Sequence, residues 1–206
     1  MSHAAIRYSA LALAVPFAWL AGCASTVVDA QWKSVEVPPA YLHGATVMVS
    51  CEAGDETLRR ICQDQVSADL SARGATLVVA APGTVPAYQP GSADAQYLPA
   101  ARSLGAKAVV SVTVGPASVA VSQGTSFSIG GFGFGSHSAG GLGITAPIGG
   151  GQVSNGYAAN GRVTDVASGK LMWSARASAR PSDDVNAQMA DLSRSMLDAA
   201  GKTGLF

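Results

Sequence analysis

The stretch ATVMVSCEAGDETLRRICQDQVSADLSARGATLVVA, residues 45–80, changes its hydrophobic period twice, and those changes decide the fold. Ala45 to Ser50 is a β-rich run ending at Cys51. Asp55 is placed to cap a helix in which Leu58, Ile61, Cys62, Val66 and Leu70 fall on one stripe at helical spacing. Arg59, Arg60, Asp64 and Asp69 lie off that stripe, and Gly74 supplies the stop. Thr76 to Ala80 is then a second short apolar strand. The segment reads as a strand–helix–strand unit.

Downstream, Pro82, Pro86, Pro90 and Gly91 mark an irregular loop. A weaker helix is expected over Ala93 to Leu104, begun or interrupted by Pro99 and closed by Gly105. Ala108 to Val114 reads as a strand whose pattern resumes after Pro116, through Ser118 to Ser122. Residues 124–151 hold 11 of the 24 glycines. Within them Phe127 and Ile129, Phe132 and Phe134, and Leu142 and Ile144 alternate with small residues, so one-faced β structure is expected, with a bulge or bend at Gly130-Gly131. The entropy lost on ordering so much glycine leaves disorder open for part of this segment. Gly156 to Val166 and Lys170 to Ala179 form a hairpin around Ala167-Ser168-Gly169, with Leu171 and Trp173 expected on one face. Ser182 or Asp183 caps a last helix, with Val185, Met189, Leu192 and Met196 inward and Gly201 at its end. The fold class is therefore α+β. The strand–helix–strand unit feeds a mixed, mostly antiparallel sheet, two amphipathic helices pack on it, and a Gly-rich hairpin or loop is added.

Upstream, residues 1–10 carry Arg7 as their one charged side chain, and Leu11 to Leu20 is almost wholly apolar but too short to span a bilayer. With the small residues that follow, this is an export signal. Leu20-Ala21-Gly22-Cys23 resembles the lipobox of bacterial lipoproteins. That resemblance implies cleavage after residue 22, diacylglycerol on the Cys23 thiol, and acylation of the new amine with a fatty acid such as palmitate. It also implies outer-membrane residence, because Ala24 and Ser25 follow where an Asp would retain the protein elsewhere. The domain plan is residues 1–22 as signal peptide, 23–40 as an aperiodic tether ending in Pro38-Pro39, and 41–206 as one α+β domain. Losing residues 1–22 removes Arg7 alone, leaving 12 basic side chains against 13 acidic. A near-neutral chain argues against a nucleic-acid partner, so attachment rests on the acyl chains. With Cys23 acylated, Cys51 and Cys62 remain in a compartment that oxidises thiols. They form either a disulfide, favoured because Cys62 faces the strand that Cys51 ends, or two small buried thiols that never meet.

No catalytic constellation stands out. His43 and His137 sit in no motif, and Gly141-x-Gly143-x-x-Ala146 matches a dinucleotide fingerprint only until Pro147 breaks the required helix. Glu52, Asp55 and Glu56 read as solvated acids at a helix start. No catalytic, cofactor-binding or metal-ligating residue is assigned, and no cofactor is expected. The hairpin Asp165-Val166-Ala167-Ser168-Gly169-Lys170-Leu171-Met172-Trp173-Ser174 resembles one found in several bacterial envelope lipoprotein families. They include the domain-of-unknown-function 4136 lipoproteins, the lipoprotein activators of penicillin-binding proteins, and the curli-secretion channel lipoproteins. The first is the best overall likeness. It is carried by the order of lipobox, Ala72-Arg73-Gly74 at a helix end, Pro147-Ile148-Gly149, this hairpin, and a terminal helix. The resemblance implies a non-enzymatic, lipid-anchored envelope protein, a periplasm-facing binding or scaffolding module of the outer membrane with an envelope protein as possible partner. A regulator of peptidoglycan synthesis is the alternative, and an oligomeric pore a third; the oligomeric state is left open.

Overall fold

In chain order the elements are β1 (Val27–Lys33), β2 (Thr46–Ala53), α1 (Glu56–Ala72), β3 (Thr76–Val78), a 3₁₀ turn (Ala93–Tyr97), α2 (Leu98–Ser103), β4 (Ala108–Val121), β5 (Thr125–Phe127), β6 (Val153–Asp165), β7 (Leu171–Ser178) and α3 (Val185–Lys202). The computed structural model describes residues 26–79, 93–121, 125–127 and 153–206. The expected signal segment, Cys23, the Pro82–Gly91 loop, His137, the Gly141–Ala146 fingerprint and all but residues 125–127 of the Gly-rich segment lie outside them.

The α+β reading is what the chain adopts. Seven strands form one sheet in the order β1-β7-β6-β4-β2-β3, with β5 paired to β4. β2 runs parallel to β3 and β4, while every other pair is antiparallel. α1 joins the parallel strands β2 and β3 because parallel neighbours need a crossover, not a tight turn. Asp55 caps α1 by accepting from the Leu58 N–H at 2.9 Å, and Leu58, Cys62, Val66 and Leu70 are its buried residues. α3 lies beside α1 on the same sheet face, burying Met189, Leu192 and Met196. The two helices are joined by the Ser193 hydroxyl donating to Asp69 at 2.6 Å and by an Arg73–Asp198 ion pair.

The main core fills the space between sheet and helices, around the fully buried Trp173. Gly161 pairs with Ala175 directly beneath it, and a Cβ there would meet Met196 Sδ at 3.2 Å. Among the described residues, the opposite sheet face is covered at one corner. There Met48, Val109 and Val166 pack with Tyr97 and Ala101 of the 3₁₀ turn and α2.

Three local expectations are corrected. Val27–Lys33, read as part of an aperiodic tether over residues 23–40, is an edge strand paired with β7. With one side unpaired among the described residues and most of its residues exposed, it needs no apolar alternation, so its sequence gives no period. The α3 cap is Asp184, which accepts from the Ala187 N–H at 2.9 Å, while Asp183 accepts from the Ser154 hydroxyl instead. Leu171 does not share a face with Trp173. The ladder skips Met172, pairing Val163 with Trp173 and Thr164 with Leu171, and this bulge turns Leu171 to the other side.

Candidate functional site

The expected lipidation residue, Cys23, precedes the first strand by four positions. At ~3.3–3.6 Å per residue this link reaches at most about 14 Å, against the ~60 Å of an 18-residue tether. A lipid on Cys23, were the expected acylation made, would hold the start of β1 near the bilayer surface.

Cys51 and Cys62 are bonded, with their Cα atoms 6.0 Å apart, and both lie buried in the main core. The bond ties β2 to α1 at one end of the sheet. Beside it Gln63 does related work. Its amide donates to the Val49 carbonyl at 3.0 Å, and its carbonyl accepts the Cys51 N–H at 3.1 Å. These backbone groups belong to β2 past Met48, where the short β3 has ended and can pair them no longer. Gln188 does the same on α3. Its carbonyl accepts the Tyr157 N–H, and its amide donates to the Asn155 and Ser182 carbonyls at 2.9 and 2.8 Å. Tyr157 and Asn155 lie on β6 beyond the end of β7, and Ser182 lies in the chain that follows β7, bridged to Asn155. Gln63 thus pairs buried backbone of β2 where its neighbour strand has ended, and Gln188 ties the half-buried Tyr157 N–H to the exposed junction of β6 with the chain after β7.

The sheet face opposite α1 and α3 carries polar side chains of β4, β6 and β7, among them Ser111, Arg162 and Thr164. At its covered edge Asp94, 3% exposed, accepts from Ser111 and Thr164 hydroxyls and from Arg162 Nε at 3.0 Å. Three donors converge on this carboxylate, so it acts as a brace between the 3₁₀ turn and β4–β6. Glu52 accepts from the Tyr97 hydroxyl, and burial pushes its carboxyl above the ordinary glutamate value against the pull of Arg59. It is thus not a solvated acid, while Asp55, which caps α1, and Glu56, paired with Arg60 at 2.7 Å, are exposed as expected. Toward β1, Arg176 approaches Asp29 at 3.8 Å, and Trp32 is half exposed.

At the far end of the sheet the Tyr41 hydroxyl donates to Asp165 at 2.6 Å, while Lys107 donates to the Tyr41 carbonyl and stands 4.3 Å from its ring. Burial, then the Asp165 hydrogen bond and charge, hold the Tyr41 phenol well above the ordinary tyrosine range. For Asp165, burial is the largest influence and raises its carboxyl. Hydrogen bonds from Tyr41, Ser168 and Ala167 together outweigh it, so the net shift is downward. The same Asp165 shapes the hairpin turn by accepting from the Ser168 N–H and hydroxyl. His43 packs where Gly74 lacks a side chain, its ring atoms 3.2 Å from the site of a Cβ. Among the described residues no group of three or more His, Cys, Asp or Glu side chains is placed to hold a metal ion. No described helix is long and apolar enough to cross a membrane.

No family model matches the chain, so the likeness to the domain-of-unknown-function 4136 lipoproteins stands on motif order alone. No curated protein matches it either. Solved structures that align with the chain include a PelC dodecamer from Paraburkholderia phytofirmans, at 16% identity over 81% of this chain and 94% of that one, with a TM-score of 0.44. The lipoprotein GNA1162 from Neisseria meningitidis aligns at 18% identity over 77% and 96%, TM-score 0.40. The LpoB C-terminal domain from Salmonella enterica aligns at 13% over 67% and 84%, TM-score 0.39. Likeness at this level carries no residue-by-residue correspondence.

Proposed function

We propose that this protein is a non-enzymatic lipoprotein of the bacterial outer membrane, anchored through acylated Cys23 and facing the periplasm, where it binds or scaffolds another envelope protein. The observation that carries the reading is Leu20-Ala21-Gly22-Cys23 set four residues before the first strand. Residues 1–22 are then the cleaved signal, and a short link replaces the longer tether. The binding surface is the β1 edge. Of the five large apolar side chains exposed among the described residues, Val27, Trp32 and Val35 all lie on or just after β1. An unpaired strand edge carrying exposed apolar residues is suited to strand addition by a protein partner.

The test is a photo-crosslinking residue at Trp32 in intact cells, combined with density separation of the membranes. The reading expects the protein in the outer-membrane fraction, shielded from protease added to whole cells, and crosslinked to a discrete envelope protein. Recovery in the soluble fraction, or no adduct above that from a site on α2, contradicts it. Regulation of peptidoglycan synthesis is the weaker claim, since a link of about 14 Å gives the domain little reach from its membrane.

A further inference from the structure

We infer that β1 pairs antiparallel with β1 of a second copy of this chain, about a twofold axis at Gln31, joining the two sheets edge to edge. This rests on the reading of β1 as the binding edge and names its partner.

The ladder fixes the two faces of β1. Val28, Gln31 and Lys33 pair with Ala177, Ala175 and Trp173, which are buried beneath the helices, so they point to the α3 side. Ala30 and Trp32 pair with Arg176 and Ser174 and point to the opposite side. Asp29 is the extra residue where the register shifts. Its carboxylate accepts from the Ser178 hydroxyl and lies 3.8 Å from Arg176. Beyond β1 no described strand continues the sheet. A groove of about 370 Å³ runs beside it, between Val28 and Gln31 of β1 and Ser195, Ala199 and Lys202 of α3. An added strand therefore meets unpaired backbone at the edge and has room for its side chains on the helix side.

The order of residues in β1 decides which strand fits there. Counting outward from Gln31, Ala30 stands against Trp32, Asp29 against Lys33, and Val27 against Val35. The pairs set small against large, negative against positive, and apolar against apolar. Antiparallel pairing at this register lays each half-exposed Trp32 indole over the partner's Ala30, on the same face of the joined sheet. The two Gln31 amides meet on the axis beside the groove, where each can donate to the other's carbonyl. The bulge at Asp29 moves the outer pairs by one place and leaves the three central rungs in register. A parallel pairing would instead set Asp29 beside Asp29 and Lys33 beside Lys33, and like charges side by side are destabilising.

Self-pairing also closes the assembly, because an isologous contact uses the same edge of both copies. A head-to-tail contact would have to match β1, of seven residues, with β3, which has three. The proposed Cys23 lipid favours the encounter by confining both copies to one bilayer and raising their effective concentration. The two links leave opposite ends of the paired strands and reach that bilayer together when the strands run along its surface.

The test uses the full acylated protein in phosphatidylethanolamine–phosphatidylglycerol vesicles, with one cysteine introduced at a time: Gln31→Cys, Val27→Cys or Ser103→Cys. With Cys23 acylated and Cys51 bonded to Cys62, the introduced thiol is the one left free. Mild oxidation is expected to give several-fold more covalent dimer from Gln31→Cys, whose two copies meet on the axis, than from Val27→Cys. The two Val27 positions lie at opposite ends of a seven-residue strand about 23 Å long. Ser103→Cys, at the end of α2, sets the background of random collision. A photo-crosslinking residue at Trp32 in intact cells gives a second reading that does not depend on the cysteine variants folding, and an adduct of twice the chain's mass supports the pair. Trp32 adducts to a different protein, with Gln31→Cys at background, overturn the second copy and leave β1 as a binding edge. No adduct at Trp32, with equal dimer at all three cysteines, overturns both.

Discussion

The Cys51–Cys62 bond closes a loop of sequence separation 11 within the β2–α1 unit. Opening it should destabilise the protein mainly by freeing the unfolded chain, since both sulfurs are buried and two thiols fit nearly the same space. The loop-closure relation gives an entropy of about 9 cal/mol/K for n near 11, or about 2.7 kcal/mol at 25 °C. For a domain of this size that corresponds to a fall in Tm of about 5–10 °C. The assay compares urea and thermal unfolding of the mature protein in its oxidised form with the same protein refolded under reductant, followed by circular dichroism. Reduction should lower the urea midpoint and leave the native spectrum unchanged. A loss below about 1 kcal/mol refutes the loop-entropy argument. It would mean that the Gln63 clamp or residual structure already restrains this segment.

Three other perturbations probe separate parts of the account. Gln188→Ala strips the acceptor from the Tyr157 N–H and one donor each from the exposed Asn155 and Ser182 carbonyls, so a loss of about 1–3 kcal/mol, carried chiefly by the Tyr157 N–H, is expected in urea unfolding; a loss under about 0.5 kcal/mol, well below the ~1 kcal/mol of one unpaired group, would show that water serves that group equally well. Gly161→Val drives a side chain toward Met196 Sδ and the Trp173 ring, and a loss of about 1–3 kcal/mol with altered tryptophan fluorescence is expected; an unchanged Tm would contradict the close packing. The Tyr41–Asp165 pair gives a pH test. The raised Tyr41 contributes stability that is present below the ordinary tyrosine pKa of 10.0 and is lost as pH rises above it. The lowered Asp165 contributes stability that is present above the ordinary value of 3.8 and is lost as pH falls below it. The Tm advantage of wild type over Tyr41→Phe should therefore be flat in between and shrink at both extremes; a constant difference across the whole range would refute the pairing.

Much of this architecture is legible in the chain because single segments report their own surroundings. The stripe Leu58, Cys62, Val66, Leu70 and the cap Asp55 define α1 without reference to anything distant, and α3 follows the same logic. β1 is invisible for the opposite reason. An edge strand with most residues in solvent has no burial pattern to display, and only pairing with β7 holds it. The Met172 bulge hides equally well, since Leu171 and Trp173 alternate on paper and only the ladder shows the skipped residue. Gln63 and Gln188 look like ordinary surface residues of amphipathic helices. Their work depends on where β3 and β7 happen to end, which is set by the assembled sheet. Asp94 is similar, its three donors coming from residues 17, 68 and 70 positions away. The anchor motif is the contrary case, four contiguous residues that carry their meaning before folding.

That motif also holds the central claim, and the mass of the N-terminal peptide from membrane-extracted protein tests it most directly. The account predicts a chain beginning at Cys23, with diacylglycerol in thioether linkage to its sulfur and a fatty acid on its amine. A chain that begins at any other residue, or a Cys23 thiol free to alkylate, would contradict it.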